Sequence, residues 1–146
     1  MIGLVLVSHS RELARAALEL AVGLVPGLDV RVELAAGLSG GGLGTDATEI
    51  AAAVGRADDG DGILVLTDLG SGIMSAETAL ELLDPGVAAR VRLSPAPLVE
   101  GLVGAYAAAG IGKTLDDVAA EAETAIEAKR VQLTTRARSP RPGAGR

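Results

Sequence analysis

Short apolar runs alternate with stretches of helical periodicity along most of the chain, and that alternation restricts the fold more than any other feature. Ile2 to Val7 is a continuous run rich in branched residues, as expected for a strand covered on both faces. Arg11 to Leu24 places Leu13, Ala14, Ala17, Leu18, Ala21 and Leu24 on one helical face and stops at Pro26-Gly27. Asp29 to Leu34 sets Val30, Val32 and Leu34 against Arg31 and Glu33, the pattern of a half-exposed edge strand. A glycine-rich loop, Gly37 to Gly44, leads to Thr45-Asp46, capping residues for a helix running to about Ala57. Ile63 to Leu66 reads as another buried strand. Ser71 reads as the cap of a helix through Leu83 that ends at Asp84-Pro85-Gly86. Val87 to Leu93 gives a fourth strand, and Leu98 to Ala109 and Leu115 to Lys129 read as two further helices.

This order predicts an α/β fold: three αβα layers around a mainly parallel open sheet joined by right-handed crossovers. With Asp29 to Leu34 at the edge, the strand order is 2-1-3-4. Ligands of open α/β sheets bind at the carboxyl ends of the strands where the order reverses, here between strands 1 and 3. The loops at that switch point are Ser8-His9-Ser10 and Thr67-Asp68-Leu69-Gly70-Ser71. Topology therefore carries His9 toward Asp68 and the start of the helix at Ser71.

Composition limits the chemistry there. The chain has 146 residues, the length of one domain, and its hydrophobic content of 49% includes one Tyr and no Phe or Trp, so the core is aliphatic. There is no cysteine, which excludes thiol nucleophiles and thiolate metal ligands, and His9 is the only histidine, which excludes a multi-histidine metal site. No apolar run approaches a membrane span, and the first residues form a strand pattern with no basic leader, so the expected location is the cytoplasm. Six of the 13 Lys and Arg follow residue 128 while all 19 acidic residues precede it, leaving a body of −12 and a tail of +6. So acidic a body repels phosphate backbones, and nucleic acid is not an expected partner. The expected division is a folded domain over 1–129 and a basic, unstructured tail over 130–146, its disorder clearest from about residue 134.

A histidine side chain is largely neutral at pH 7 and can act as a nucleophile. A carboxylate bonded to one ring nitrogen fixes the tautomer and frees the lone pair of the other, the orienting role of the aspartate in a Ser-His-Asp triad. Ser8 and Ser10 are adjacent to His9 in sequence and neither lies in a G-x-S-x-G elbow, so serine hydrolysis has weak support. An imidazole that is itself the nucleophile most often takes a phosphoryl group. The surroundings suit an anion: helix N-termini follow His9, Thr45 and Ser71, and Gly40 to Gly42 and Gly70-Ser71 permit close backbone approach. Asp68 and Ser71 also fit ordinary turn and capping roles, and Met74 and Leu80 read as core. Convergence of His9, Asp68 and Ser71 on one crevice favours the functional reading.

Four ordered segments, LVLVSHS (Leu4 to Ser10), GTDA (Gly44 to Ala47), DLGSGIMSAETALELL (Asp68 to Leu83) and APLVEG (Ala96 to Gly101), resemble the phosphotransfer subunits of bacterial dihydroxyacetone kinases. Those subunits form a branch of the mannose-class enzyme IIA family of the phosphoenolpyruvate-dependent phosphotransferase system, and the likeness covers residues 1 to about 127. The resemblance implies that His9 accepts a phosphoryl group from the carrier protein HPr and that Asp68 hydrogen-bonds it. It implies that Gly44, Thr45, Gly70 and Ser71 line the phosphate pocket, to which Ser10 is added as a phosphate-binding candidate. The group then passes to ADP on the kinase L subunit, while the K subunit presents dihydroxyacetone. On this reading the chain carries no cofactor and no metal, ADP/ATP and Mg belonging to the L subunit, and it forms a homodimer. Some relatives carry fused HPr-like and enzyme I-like domains; here a separate donor is expected. The loop Gly37 to Gly44 is shorter and richer in glycine than is usual in that family. Competing readings are a mannose-class sugar permease IIA subunit, a tetrapyrrole chelatase-like enzyme, and a flavodoxin-like binding module, the last weakened by the lack of aromatic residues to stack on a flavin.

Overall fold

A computed structural model describes residues 1–138. Four parallel strands, β1 (Gly3–Ser8), β2 (Val32–Ala36), β3 (Ile63–Thr67) and β4 (Val91–Leu93), form one sheet in the order β2-β1-β3-β4. Seven helices connect or follow them: α1 (Arg11–Leu24), α2 (Ala47–Ala57), α3 (Gly70–Glu81), the single turn α4 (Pro85–Ala88), α5 (Leu98–Gly110), α6 (Leu115–Thr124) and α7 (Glu127–Arg138). The predicted architecture and strand order are both found.

Alternation along the central strands sorts the core into two layers. Leu4, Leu6, Leu64 and Leu66 face one way and pack with Ala17, Ala21, Leu102, Ala105, Ala109, Val118 and Ala122 of α1, α5 and α6. Val5, Val7, Ile63 and Val65 face the other way and pack with Ile50, Ala53, Val54, Ala57, Ala76 and Ala79 of α2 and α3. Because successive side chains point to opposite faces, a strand buried on both sides is apolar along its length, and β1 and β3 are so up to their carboxyl ends, where Ser8 and Thr67 are buried polar residues beside the site. In the absence of Phe and Trp, closeness replaces bulk: a Cβ built on Gly3 would stand 2.3 Å from the Ala57 carbonyl oxygen, so this glycine lets α2 lie directly on β1.

Several elements differ from the sequence reading. The edge strand lies at Val32–Ala36 and not at 29–34, because its register against β1 runs from Leu4 opposite Val32 to Ser8 opposite Ala36. The fourth strand is Val91–Leu93. Pro85 starts a turn in which the Asp84 carbonyl accepts from the Val87 and Ala88 N–H groups, which withdraws residues 85–88 from the sheet. The Leu115–Lys129 helix divides into α6 and α7, and at the break the Thr124 hydroxyl bonds back to the Ala120 carbonyl at 2.8 Å, a bond that often bends helices. Residues 130–138, placed in the tail by composition, continue α7. Its Ala, Lys, Arg, Gln and Leu are strong helix formers, and Lys129 ties it to Glu100 at 2.6 Å. The remainder of the predicted tail, 139–146, lies outside the described residues.

Gly3→Ala is expected to destabilise the fold by about 1–3 kcal/mol, since the added methyl meets backbone that can yield only by moving α2 off the sheet. Urea unfolding of the two proteins checks this, and equal midpoints would contradict it.

Candidate functional site

His9 and Asp68 stand at the carboxyl ends of β1 and β3, where Val7 lies opposite Thr67 in register. The Asp68 carboxylate accepts four hydrogen bonds. Oδ2 receives the His9 backbone N–H at 2.9 Å and the Ser8 hydroxyl at 3.0 Å. Oδ1 receives the Leu69 backbone N–H at 2.8 Å and lies 2.9 Å from His9 Nδ1. An ionised carboxylate offers acceptors only, so Nδ1 carries the ring proton and Nε2 keeps its lone pair. The Ser71 hydroxyl stands 2.7 Å from Nε2 and donates to it. The carboxylate is nearly covered, at 9% exposure, whereas the imidazole remains 26% exposed. Burial pushes the Asp68 carboxyl upward, but the bonds from the His9 N–H, the His9 ring and the Ser8 hydroxyl outweigh it and hold the group below its ordinary value.

The other loop positions named from sequence take distinct places. Gly44 donates its N–H to the His9 carbonyl at 2.9 Å and has φ of 148°. A Cβ there would stand 3.0 Å from Leu38, so the crossing requires glycine. Thr45 follows it, with Oγ1 2.6 Å from the Ser75 hydroxyl of α3. Gly70 and Ser71 open α3. The cap of that helix is Leu69, which makes no side-chain cap bond, so Ser71 is not the cap the sequence reading made it. The first-turn N–H groups of α3 and the positive end of its dipole lie beside Nε2. The hydroxyl of Ser10 instead caps α1, accepting from the Leu13 N–H at 3.2 Å and lying 3.3 Å from Glu12 Oε2.

Two contributors escaped the sequence reading. Ser8 is fully buried and braces both the Asp68 carboxylate and the Ser10 N–H. Ser75 lies four residues after Ser71, a spacing that places both on one face of α3. Met74, read as core, is 69% exposed, and with Leu43 and Leu69 it leaves apolar side chains open to solvent on the segments that frame His9. Among the described residues no group of three or more His, Asp or Glu is arranged to hold a metal, and no helix is long and apolar enough to cross a membrane.

This αβα sheet, with a carboxylate-bonded histidine at its switch point, is that of a phosphotransferase-system IIA domain. The chain belongs to the family described as the PTS system fructose IIA component, whose model matches residues 3–119. It is 45% identical over 135 residues to the phosphoryl donor subunit DhaM of the PEP-dependent dihydroxyacetone kinase of Klebsiella michiganensis, and 44% identical to that of Escherichia coli K12. Each match covers 91% of this chain and 29% of the relative, so the chain spans under a third of the length of those proteins. A DhaM of Listeria innocua, from a dihydroxyacetone kinase 2, is 42% identical over 101 residues, covering 69% of this chain and 80% of its own. Among solved structures, a protein of unknown function superposes with a TM-score of 0.76 at 30% identity, over 84% of this chain and 93% of its own. The EIIA component of Streptococcus agalactiae shares the fold, with a TM-score of 0.66 at 20% identity over 92% of this chain and 99% of its own.

The depressed Asp68 value fixes a sign. Its stabilising contribution is present above the ordinary carboxylate pKa and disappears as pH falls through the lower native value. Between about pH 6 and pH 3 the wild-type protein should therefore lose more stability than Asp68→Asn, whose amide does not titrate. Urea melts at the two pH values measure the gap, and a gap that stays constant would contradict the assignment.

Proposed function

We propose that this chain carries a phosphoryl group on His9 Nε2 as the donor component of a PEP-dependent dihydroxyacetone kinase. The observation that carries this reading is the division of the imidazole: Nδ1–H is committed to a buried carboxylate, while Nε2 faces outward against the start of α3. The relatives named DhaM supply the biological setting.

In the first transfer the N–P bond of a phosphohistidine on HPr breaks as the Nε2–P bond forms, so no proton leaves the ring. Positive charge developing on the imidazole is opposed by Asp68, which also prevents rotation of the ring about its side-chain bonds. Ser71 turns its O–H from Nε2 to a phosphoryl oxygen, and the α3 N-terminus supports the others through backbone N–H groups. Phosphoryl transfer of this kind needs placement and charge neutralisation more than covalent chemistry. In the second transfer the Nε2–P bond breaks toward ADP on the L subunit, forming ATP and returning His9 to its neutral state. The K subunit then presents dihydroxyacetone to that ATP. Nucleotide and Mg belong to the L subunit, and the protein works in the cytoplasm as a homodimer.

Incubation with phosphoenolpyruvate, enzyme I and HPr is expected to give one acid-labile phosphoryl group per chain. His9→Ala should abolish it, while Asp68→Asn should still be labelled, but more slowly. Label persisting on the His9 variant would place the acceptor elsewhere. Charged protein added to L subunit carrying ADP should then yield ATP; failure of that step alone would redirect the assignment to a sugar permease IIA subunit.

A further inference from the structure

Ser75 has no part in the transfer just described, yet its hydroxyl makes a close contact at the edge of the site. Its Oγ stands 2.6 Å from Thr45 Oγ1 in a partly buried setting. Ser71 and Ser75 occupy successive turns of one face of α3, with about 5–6 Å between such positions. The first of these serines reaches His9 Nε2, and the second reaches the loop that crosses over His9. That loop is already bonded to His9 through the Gly44 N–H, so Thr45 is held between the histidine backbone and α3.

A hydroxyl carries one proton and two lone pairs. If Ser75 donates to Thr45 Oγ1, the proton of Thr45 remains available for a second acceptor, such as an oxygen of a phosphoryl group on Nε2. The reverse polarity would spend the Thr45 proton inside the protein and turn lone pairs toward an anion. A charged phosphoryl group selects the first arrangement, because hydrogen bonds to charged acceptors are the stronger ones. By contrast Thr78, later on α3, bonds to the carbonyl of Met74 on its own helix. Ser75 bridges to another segment.

We propose that Ser75 is a positioning residue for phosphoryl transfer. By donating to Thr45 it aims the Thr45 hydroxyl at the phosphoryl group on His9 and locks the Gly37–Gly44 loop to α3 while the group is bound. This rests on the reading of His9 as the phosphoryl acceptor.

The test compares wild type, Ser75→Ala, Ser75→Thr, Thr45→Ala and the double alanine variant, all as full chains, for the rate of labelling from phospho-HPr over a range of HPr concentrations. With Ser75 gone the Thr45 hydroxyl loses its aim and its bond to the charged phosphoryl group weakens, which predicts about a tenfold fall in kcat for Ser75→Ala, with KM for phospho-HPr changed by less than about twofold. Ser75→Thr, which keeps the hydroxyl, should recover most of that loss. The double variant should be no slower than Thr45→Ala, because both residues act through one bond. A wild-type rate for Ser75→Ala, a loss confined to KM, no recovery with threonine, or additive losses in the double variant would each overturn the proposal. If the wild-type protein itself takes no label on His9, the functional reading fails and this inference with it; normal wild-type labelling beside an unaffected Ser75→Ala removes this inference alone.

Discussion

The Asp68 carboxylate is the point on which the rest of the site depends. Four donors from two strand ends converge on its two oxygens: backbone N–H groups of His9 and Leu69, the Ser8 hydroxyl, and the imidazole. A buried anion is tolerated only when its lone pairs are used, and here all are used by groups that the sheet already holds in place. The same contacts that make the carboxylate acceptable in a covered position fix the tautomer of His9. One set of bonds both satisfies the covered carboxylate and orients the ring.

Rigidity reaches the site from the core. β1 and β3 are buried along their whole lengths between two aliphatic layers, and close helix approach at positions such as Gly3 supplies the packing that aromatic residues would otherwise provide. The glycine-rich loop is anchored as well. Gly37 donates to the Ser8 carbonyl, Gly44 to the His9 carbonyl, and Leu38 and Gly42 bond to each other across the turn. Backbone groups of the very residues that flank the imidazole thus hold its neighbours.

How far the sequence revealed this varied with the kind of information involved. The strand order and the meeting of His9 with Asp68 followed from apolar runs and a topological rule, both of which act over whole elements. The role of Ser71 did not follow, since a serine at a helix start looks the same whether it caps the helix or faces an imidazole; the cap proved to be Leu69. The contacts of Ser8 and Ser75 were missed because pairing between side chains 30 or 60 positions apart leaves no periodic trace. The part of α7 beyond Lys129 was hidden by averaging: Pro140, Pro142 and Gly143 coloured the reading of the helix-forming residues before them.

Parallel pairing of β1 with β3 has a consequence for how such a chain can diverge. Sliding either strand by one position would bring Thr67 or Leu69 level with Ser8 in place of Asp68 and would also invert which side chains enter each layer. A residue gained or lost inside either strand would therefore part His9 from Asp68 as well as disturb the core. The turn from Asp58 to Gly62 lies at the amino end of β3, the opposite end of that strand from Asp68, so an added residue there would leave the spacing of His9 and Asp68 untouched.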